Sequence, residues 1–271
     1  MIKLEIKNID IKEILFSGAC FRCTLESDGS ITNILKDRVI NLKQEGNTIY
    51  IKSSNYENIE NVIKDYFDLN RDYESINKDL LKKNSSIKNM IDECKNYRIL
   101  NQDSFEMGIS YIISQSNNVK RISGIINNIA KEYGEKVLFN EKEYYLFPTY
   151  DKLKNITIND LKKFKLGFRD KYIIDYINKY ESLNIDNLST EDALKSLMSV
   201  KGIGLKVASC ILLFGYKRMD VFPIDTWVKK YMSQTYNIKD DIKDIKEFAY
   251  NNFYPYTGLV IQYMFHTQRN K

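Results

Sequence analysis

Histidine, cysteine and long apolar runs are all scarce in this 271-residue chain. The four cysteines, Cys20, Cys23, Cys94 and Cys210, are too few and too scattered for a disulfide framework in a chain of this length. Cys20 and Cys23 form a lone C-x-x-C inside a strand-like alternation, with no second pair to complete a zinc site, so neither a metal nor a redox centre is expected there. No cysteine follows Cys210, which excludes a C-terminal four-cysteine iron–sulfur site. The one histidine, His266, falls on the last helical pattern and is given no role. No apolar run approaches the roughly 20 residues that span a bilayer, so no membrane partner is expected. The opening "MIKLEIKNIDIKEILF" alternates apolar and polar residues, unlike the unbroken apolar block of a signal peptide. A soluble, cytoplasmic protein is the expectation.

What is present is a packed core, rings and a modest positive charge. The 43% apolar content suffices for one large domain or two small ones. A net charge of +5 permits a polyanionic partner without requiring one. The 20 tyrosines and 13 phenylalanines are material for stacking on bases, although most belong to the core. Up to about residue 53 the pattern has period two, with "ESDGSI" and "KQEGNTIYIK" as hairpin connections. From "IENVIKDYFDL" onward the period is helical, interrupted at "EKVLFNEKEYYLFPTY", where Pro148 breaks any helix. "TINDLKKFKLGFRDKYIIDYI" and "STEDALKSLMSVKGIGLKVASCILL" each open with a capping residue and an acid three positions on, Thr157/Asp160 and Ser189/Asp192. Each then meets a glycine corner and re-enters a helix. The fold expected is α+β: an antiparallel β-rich N-terminal domain with flanking helices over residues 1–95, then an all-α region over 96–271 with a helical hairpin at about 189–216.

The second corner carries the chemistry. Gly202 and Gly204 flank Ile203, and the helix that follows presents its free N–H groups and positive dipole end. Such a corner suits a phosphate, read through backbone and without base information. It also suits a plain connector with Ile203 plugging the core. "VKGIGLKVA" resembles the helix–hairpin–helix motif of DNA-repair proteins, with Lys201, a further phosphate contact, in place of the usual proline.

Lys206 opens the apolar helix "VASCILLFG", with Cys210 one turn on along the same face. An amine beside an apolar wall is pushed toward its neutral, nucleophilic form, whereas a first-turn lysine can equally snorkel to solvent. Asp225, 19 positions later in "PIDTWVKKY", is a good N-cap. It is also a carboxylate able to stabilise positive charge on a sugar as a glycosidic bond breaks. The two roles are compatible.

Taken together, G-I-G-L-K followed by P-I-D resembles the helix–hairpin–helix DNA glycosylase superfamily with its Gly/Pro-Asp element. The lysine implies a combined glycosylase and abasic-site lyase, with Lys206 as nucleophile and Asp225 as the charge-stabilising carboxylate. "FSGACFRC", "YFDL", "ISQSNNVKRISG", "LGFRDKY" and "PYTGLVIQYMF" further resemble the 8-oxoguanine DNA glycosylase branch over most of the chain. That resemblance implies a Gly18 carbonyl accepting the N7 proton of 8-oxoguanine, and Cys210 and Phe265 as walls for a flipped base. It implies Phe168 and Arg169 as a wedge into the duplex, helped by Asn117 and Asn118, and Arg121 reading the partner base. Ile261 stands where the branch has a pocket glutamine, with Gln262 about 100° further round the helix. Trp227 stands at the branch's pocket histidine and Ser116 at its first loop asparagine. The implied partner is double-stranded DNA containing 8-oxoguanine, bound by a monomer. No redox cofactor is implied, and a Na+ or K+ ion is implied at the hairpin backbone near Gly202 and Gly204. Two rivals stay open at this level: an endonuclease III-like enzyme for oxidised pyrimidines, and a non-catalytic protein that uses the hairpin only to hold DNA.

Overall fold

A computed structural model describes residues 1–269. The period-two segments form β1 (Ile2–Glu5), β2 (Cys23–Leu25), β3 (Ile31–Ile34), β4 (Val39–Glu45) and β5 (Thr48–Ser53). They make one antiparallel sheet in the order β1-β5-β4-β3-β2. The alternation sets which face is buried: Ile40 and Leu42 of β4, with Ile49 and Ile51 of β5, all enter the main core. Helix α1 (Ile11–Leu15) lies between β1 and β2, and the turn and bend that follow it carry Ser17 to Arg22.

After the sheet come α2 (Ile59–Tyr66), α3 (Tyr73–Lys83) and α4 (Lys88–Glu93). The body follows with α5 (Ser104–Ser114), α6 (Val119–Tyr133), a hairpin of β6 (Lys136–Phe139) and β7 (Lys142–Tyr145), α7 (Tyr150–Leu153), α8 (Ile158–Leu161) and α9 (Arg169–Lys179). It closes with α10 (Thr190–Met198), α11 (Leu205–Gly215), α12 (Thr226–Tyr236), α13 (Ile242–Phe253) and α14 (Thr257–Arg269). The α+β class is as expected, but the region from residue 96 is mostly, not all, helical, because the interruption around Pro148 is the β6–β7 hairpin. That hairpin packs Phe139 and Leu146 on Val39 in a small second core.

Two central helices hold the site. In α5, every residue from Phe105 to Ile113 is buried, and in α11 every residue from Val207 to Phe214. Helices apolar on all faces must be enclosed, and these two pack on each other in the middle of the body. Both capping sequences act locally. Thr157 and Asp160 exchange bonds in a complete capping box at α8, and Ser189 accepts the Asp192 N–H at α10. Among the described residues, no helix is long and apolar enough to cross a membrane.

Candidate active site

The corner between α10 and α11 is built from inside outward. Val200 and Ile203 are buried, and the Ile203 N–H donates to the Val200 carbonyl at 3.1 Å. Gly202 has φ +80°, a left-handed backbone, and a side chain there would meet the Tyr172 ring at 2.2 Å. Helix α9 clamps the turn: Asp175 accepts the Lys201 N–H at 2.7 Å, and Lys179 bridges Asp175 and the Ser199 carbonyl at 2.9 and 2.8 Å. Gly204 is the exposed N-cap of α11 and supplies no capping side chain. The Lys201 side chain is exposed beside it.

One turn into α11, Lys206 is half-buried, its Nζ 5.8 Å from the centre of the Tyr111 ring on α5. Asp225 is the N-cap of α12, its Oδ1 accepting the Val228 N–H at 2.9 Å. Lys206 and Asp225 open on a single cavity of about 160 Å³, which Gly18, Cys210, Phe265, Tyr111 and Gln262 also line. The space equals several waters at about 30 Å³ each. Gly18 has φ +97° and nothing within 4 Å of where a side chain would project. Burial pushes the Cys210 thiol up, Lys206 opposes that shift by charge and by hydrogen bonding, and Asp225 adds to it. The thiol thus feels both partners.

Three expected positions are corrected. Ile261 is 0% exposed and lies in the core, while the side chain lining the cavity is its neighbour Gln262, 9% exposed. One residue step on a helix turns a side chain by about 100°, enough to exchange pocket for core. Trp227 does not line the lysine cavity. Its ring stacks behind Phe265 at 4.2 Å and 24°, and lines an adjoining cavity of about 500 Å³ with Phe16 and His266. Arg169 is 4% exposed instead of projecting toward DNA. Its guanidinium donates to the carbonyls of Gln115, Ser116 and Leu166, and lies 4.4 Å from the centre of the Phe168 ring.

The remaining loop residues gather on one face. Phe168 is 51% exposed. Arg121 is exposed and donates to the Lys165 carbonyl at 3.0 Å. Asn118 caps α6 by accepting the Arg121 N–H, and Asn117 donates to the Ile113 carbonyl at 3.1 Å. Ser116 has φ +47°, which asparagine adopts more readily than serine, and the Arg169 bond to its carbonyl pins that turn. Tyr111 was not legible as a site residue, because in "GISYIIS" it looks like any core aromatic.

An amine and a carboxylate face one small cavity beside a glycine corner, the kinds of group that base excision with covalent capture of the sugar can use. Fold and site together define a DNA glycosylase of the helix–hairpin–helix class. Residues 1–107 match the family model of the 8-oxoguanine DNA glycosylase N-terminal domain, and residues 109–253 that of the HhH-GPD superfamily base excision DNA repair proteins. The chain belongs to the 8-oxoguanine DNA glycosylase family. It is 28% identical to a probable N-glycosylase/DNA lyase of Methanothermobacter thermautotrophicus, over 75% of this chain and 72% of that one. The structure of the free Clostridium acetobutylicum 8-oxoguanine glycosylase/lyase superposes with a TM-score of 0.90 at 36% identity, over 97% of this chain and 94% of that one. The same enzyme bound to double-stranded DNA with cytosine opposite 8-oxoguanine gives 0.89 at 36% identity, over 97% and 92%.

Proposed function

We infer that this protein excises 8-oxoguanine from duplex DNA and then cleaves the strand at the resulting abasic site. The observation that carries the reading is the meeting of Lys206 and Asp225 on one cavity with Gly18, Cys210 and Phe265. The lesion flips out of the stack and lies between the Cys210 thiol and the Phe265 ring. The Gly18 carbonyl accepts the N7–H that guanine lacks, and the Gln262 amide addresses the Watson–Crick edge. As the N9–C1′ bond breaks, its electron pair leaves with the base, which takes up a proton. Asp225 stabilises the positive charge that grows on the sugar. Nζ of Lys206, its proton passed to the departing base, bonds to C1′; the C1′–O4′ bond breaks to give a Schiff base, and loss of a C2′ proton expels the 3′ phosphate.

Lys201 and the Gly202–Gly204 backbone hold the strand by its phosphates. Phe168 wedges into the gap left by the lesion, with Asn117, Asn118 and Arg121 on the partner strand, while Arg169 holds their loop in shape from below. The hairpin turn suits Na+ or K+ through backbone carbonyls alone, with the Asp175 carboxylate adding negative charge close by. No redox cofactor is needed by this chemistry. The protein acts as a monomer on nucleoid DNA in a prokaryotic cytoplasm.

Borohydride reduction on an 8-oxoguanine duplex tests the reading directly. Wild type should give a covalent complex and Lys206→Gln none. Absence of trapping with wild type, or equal trapping by the variant, overturns it. Faster cleavage of a thymine-glycol duplex than of an 8-oxoguanine duplex would transfer the chain to the oxidised-pyrimidine enzymes.

A further inference from the structure

Phe265 stands between two cavities. It lines the catalytic cavity of about 160 Å³ and also the adjoining one of about 500 Å³, and Ser17 and Gln262 line both with it. The larger space is room into which the ring could turn about its side-chain bonds, out of the catalytic cavity, unless something holds it.

Trp227 is what holds it. The two rings stack with their centres 4.2 Å apart and their planes 24° from parallel. Trp227 does not line the catalytic cavity, so it covers one face of Phe265 and leaves the other for a base. Its own second face is also taken. Tyr231, one turn on along α12, stacks on it at 5.2 Å and 24°. With both faces covered, Trp227 offers no surface on which a base could stack. The column is anchored at its far end. Tyr231 meets Tyr236 edge-on at 6.3 Å, and Tyr236 packs on Phe248 and Phe253 of α13 at 4.9 and 6.4 Å. Phe253 is fully buried. Three rings in near-parallel order thus run from the catalytic cavity toward the core and tie α14 to α12. A wall that is already ordered when the base arrives gives up none of the stacking to the ordering of its own ring.

We propose that Trp227 is a positioning residue for base excision: backed by Tyr231, it holds the Phe265 ring at the angle against which the flipped base stacks. It acts through Phe265 and touches neither base nor sugar. The proposal rests on the excision reading above, and its test separates the two.

The test compares two reactions of the same protein: single-turnover excision from an 8-oxoguanine duplex, and strand cleavage of a duplex carrying a preformed abasic site. The abasic site puts no base against Phe265, so a fixed wall matters only to the first. Trp227→Leu should slow excision at least fivefold, the lower end of what stacking a base on an aromatic ring contributes. Its cleavage of the abasic duplex should stay within twofold of wild type. Trp227→Phe keeps a ring behind Phe265 and should restore excision to within threefold of wild type. Unchanged excision by a folded Trp227→Leu, equal losses in the two reactions, or a Trp227→Phe no better than Trp227→Leu would overturn the proposal. If melting shows that Trp227→Leu does not fold, Tyr231→Leu, which removes the backing and keeps the Trp227–Phe265 contact, decides. It should slow excision at least twofold with abasic cleavage unchanged, and no loss or an equal loss in both overturns the proposal. A wild type that cleaves the abasic duplex but leaves the 8-oxoguanine duplex intact overturns the excision reading, and the role of Trp227 with it.

Discussion

At the scale of single residues, Asp225 caps α12 and, in the mechanism proposed, stabilises charge on the sugar, two roles that a substitution can separate. Asparagine caps a helix about as well as aspartate, so Asp225→Asn should leave stability within about 0.5 kcal/mol. It carries no negative charge, so excision should fall by roughly 100-fold or more. Urea denaturation and single-turnover kinetics on the same sample check both halves. Comparable losses in the two would return Asp225 to a purely structural role. Gln262 and Ile261 form a second such pair. Gln262→Ala should lower 8-oxoguanine excision about tenfold, the loss of one or two good hydrogen bonds, with a smaller effect on folding. Ile261→Ala should instead lower the unfolding free energy by about 2–5 kcal/mol, because it empties a filled core site. A catalytic loss at Ile261 larger than at Gln262 would reverse the correction made above. The sequence singled out Lys206, Asp225, Gly18, Cys210 and Phe265 correctly as residues of one cavity. It misassigned Arg169, since an arginine beside an exposed aromatic looks the same whether it points to solvent or to buried carbonyls.

At the scale of elements, the hairpin is two glycines with different reasons to exist. Gly202 is fixed by a left-handed backbone and by Tyr172, whose ring occupies the space of any side chain. Gly202→Ala should cost roughly 1–2 kcal/mol for the backbone alone, plus the displacement of that ring. Gly204 has φ −93° and nothing within 4 Å of a would-be Cβ, so Gly204→Ala should stay within about 1 kcal/mol of wild type. Its effect should show in weaker binding of an abasic-site analogue duplex, where a methyl group obstructs the close approach of phosphate to the backbone. Thermal melts and fluorescence anisotropy distinguish the two. Equal melting temperatures for both variants would contradict the argument. These elements were readable beforehand because caps, glycines and periodicity act over a few residues. The stacking of Trp227 behind Phe265 was not, because it joins the start of α12 to the middle of α14.

At the scale of the whole molecule, α5 and the segment after α1 are joined by the Arg22–Glu106 contact at the boundary between sheet and helices. Glu106 titrates near 4.5 when unfolded and at about 7 when folded, so the folded state binds more protons between those values. Stability attributable to Glu106 is therefore greatest below about pH 4.5 and declines as the pH rises to about 7, by an amount of the order of 3 kcal/mol. Glu106→Gln should flatten that part of the curve, measured as the difference in urea midpoint between pH 5 and pH 7.5. A wild-type and variant profile of equal slope would show that Glu106 does not couple to folding. By itself, the sequence determined the order of sheet and helices, the hairpin, its phosphate-ready corner and the lysine–aspartate pair, because these rest on local patterns and on spacing along one chain. Only the tertiary structure decided which of Ile261 and Gln262 meets the cavity, where Arg169 spends its hydrogen bonds, and that Tyr111 lies under the lysine. Those outcomes depend on the angle at which distant helices pack, and packing angle is a property of the assembled core.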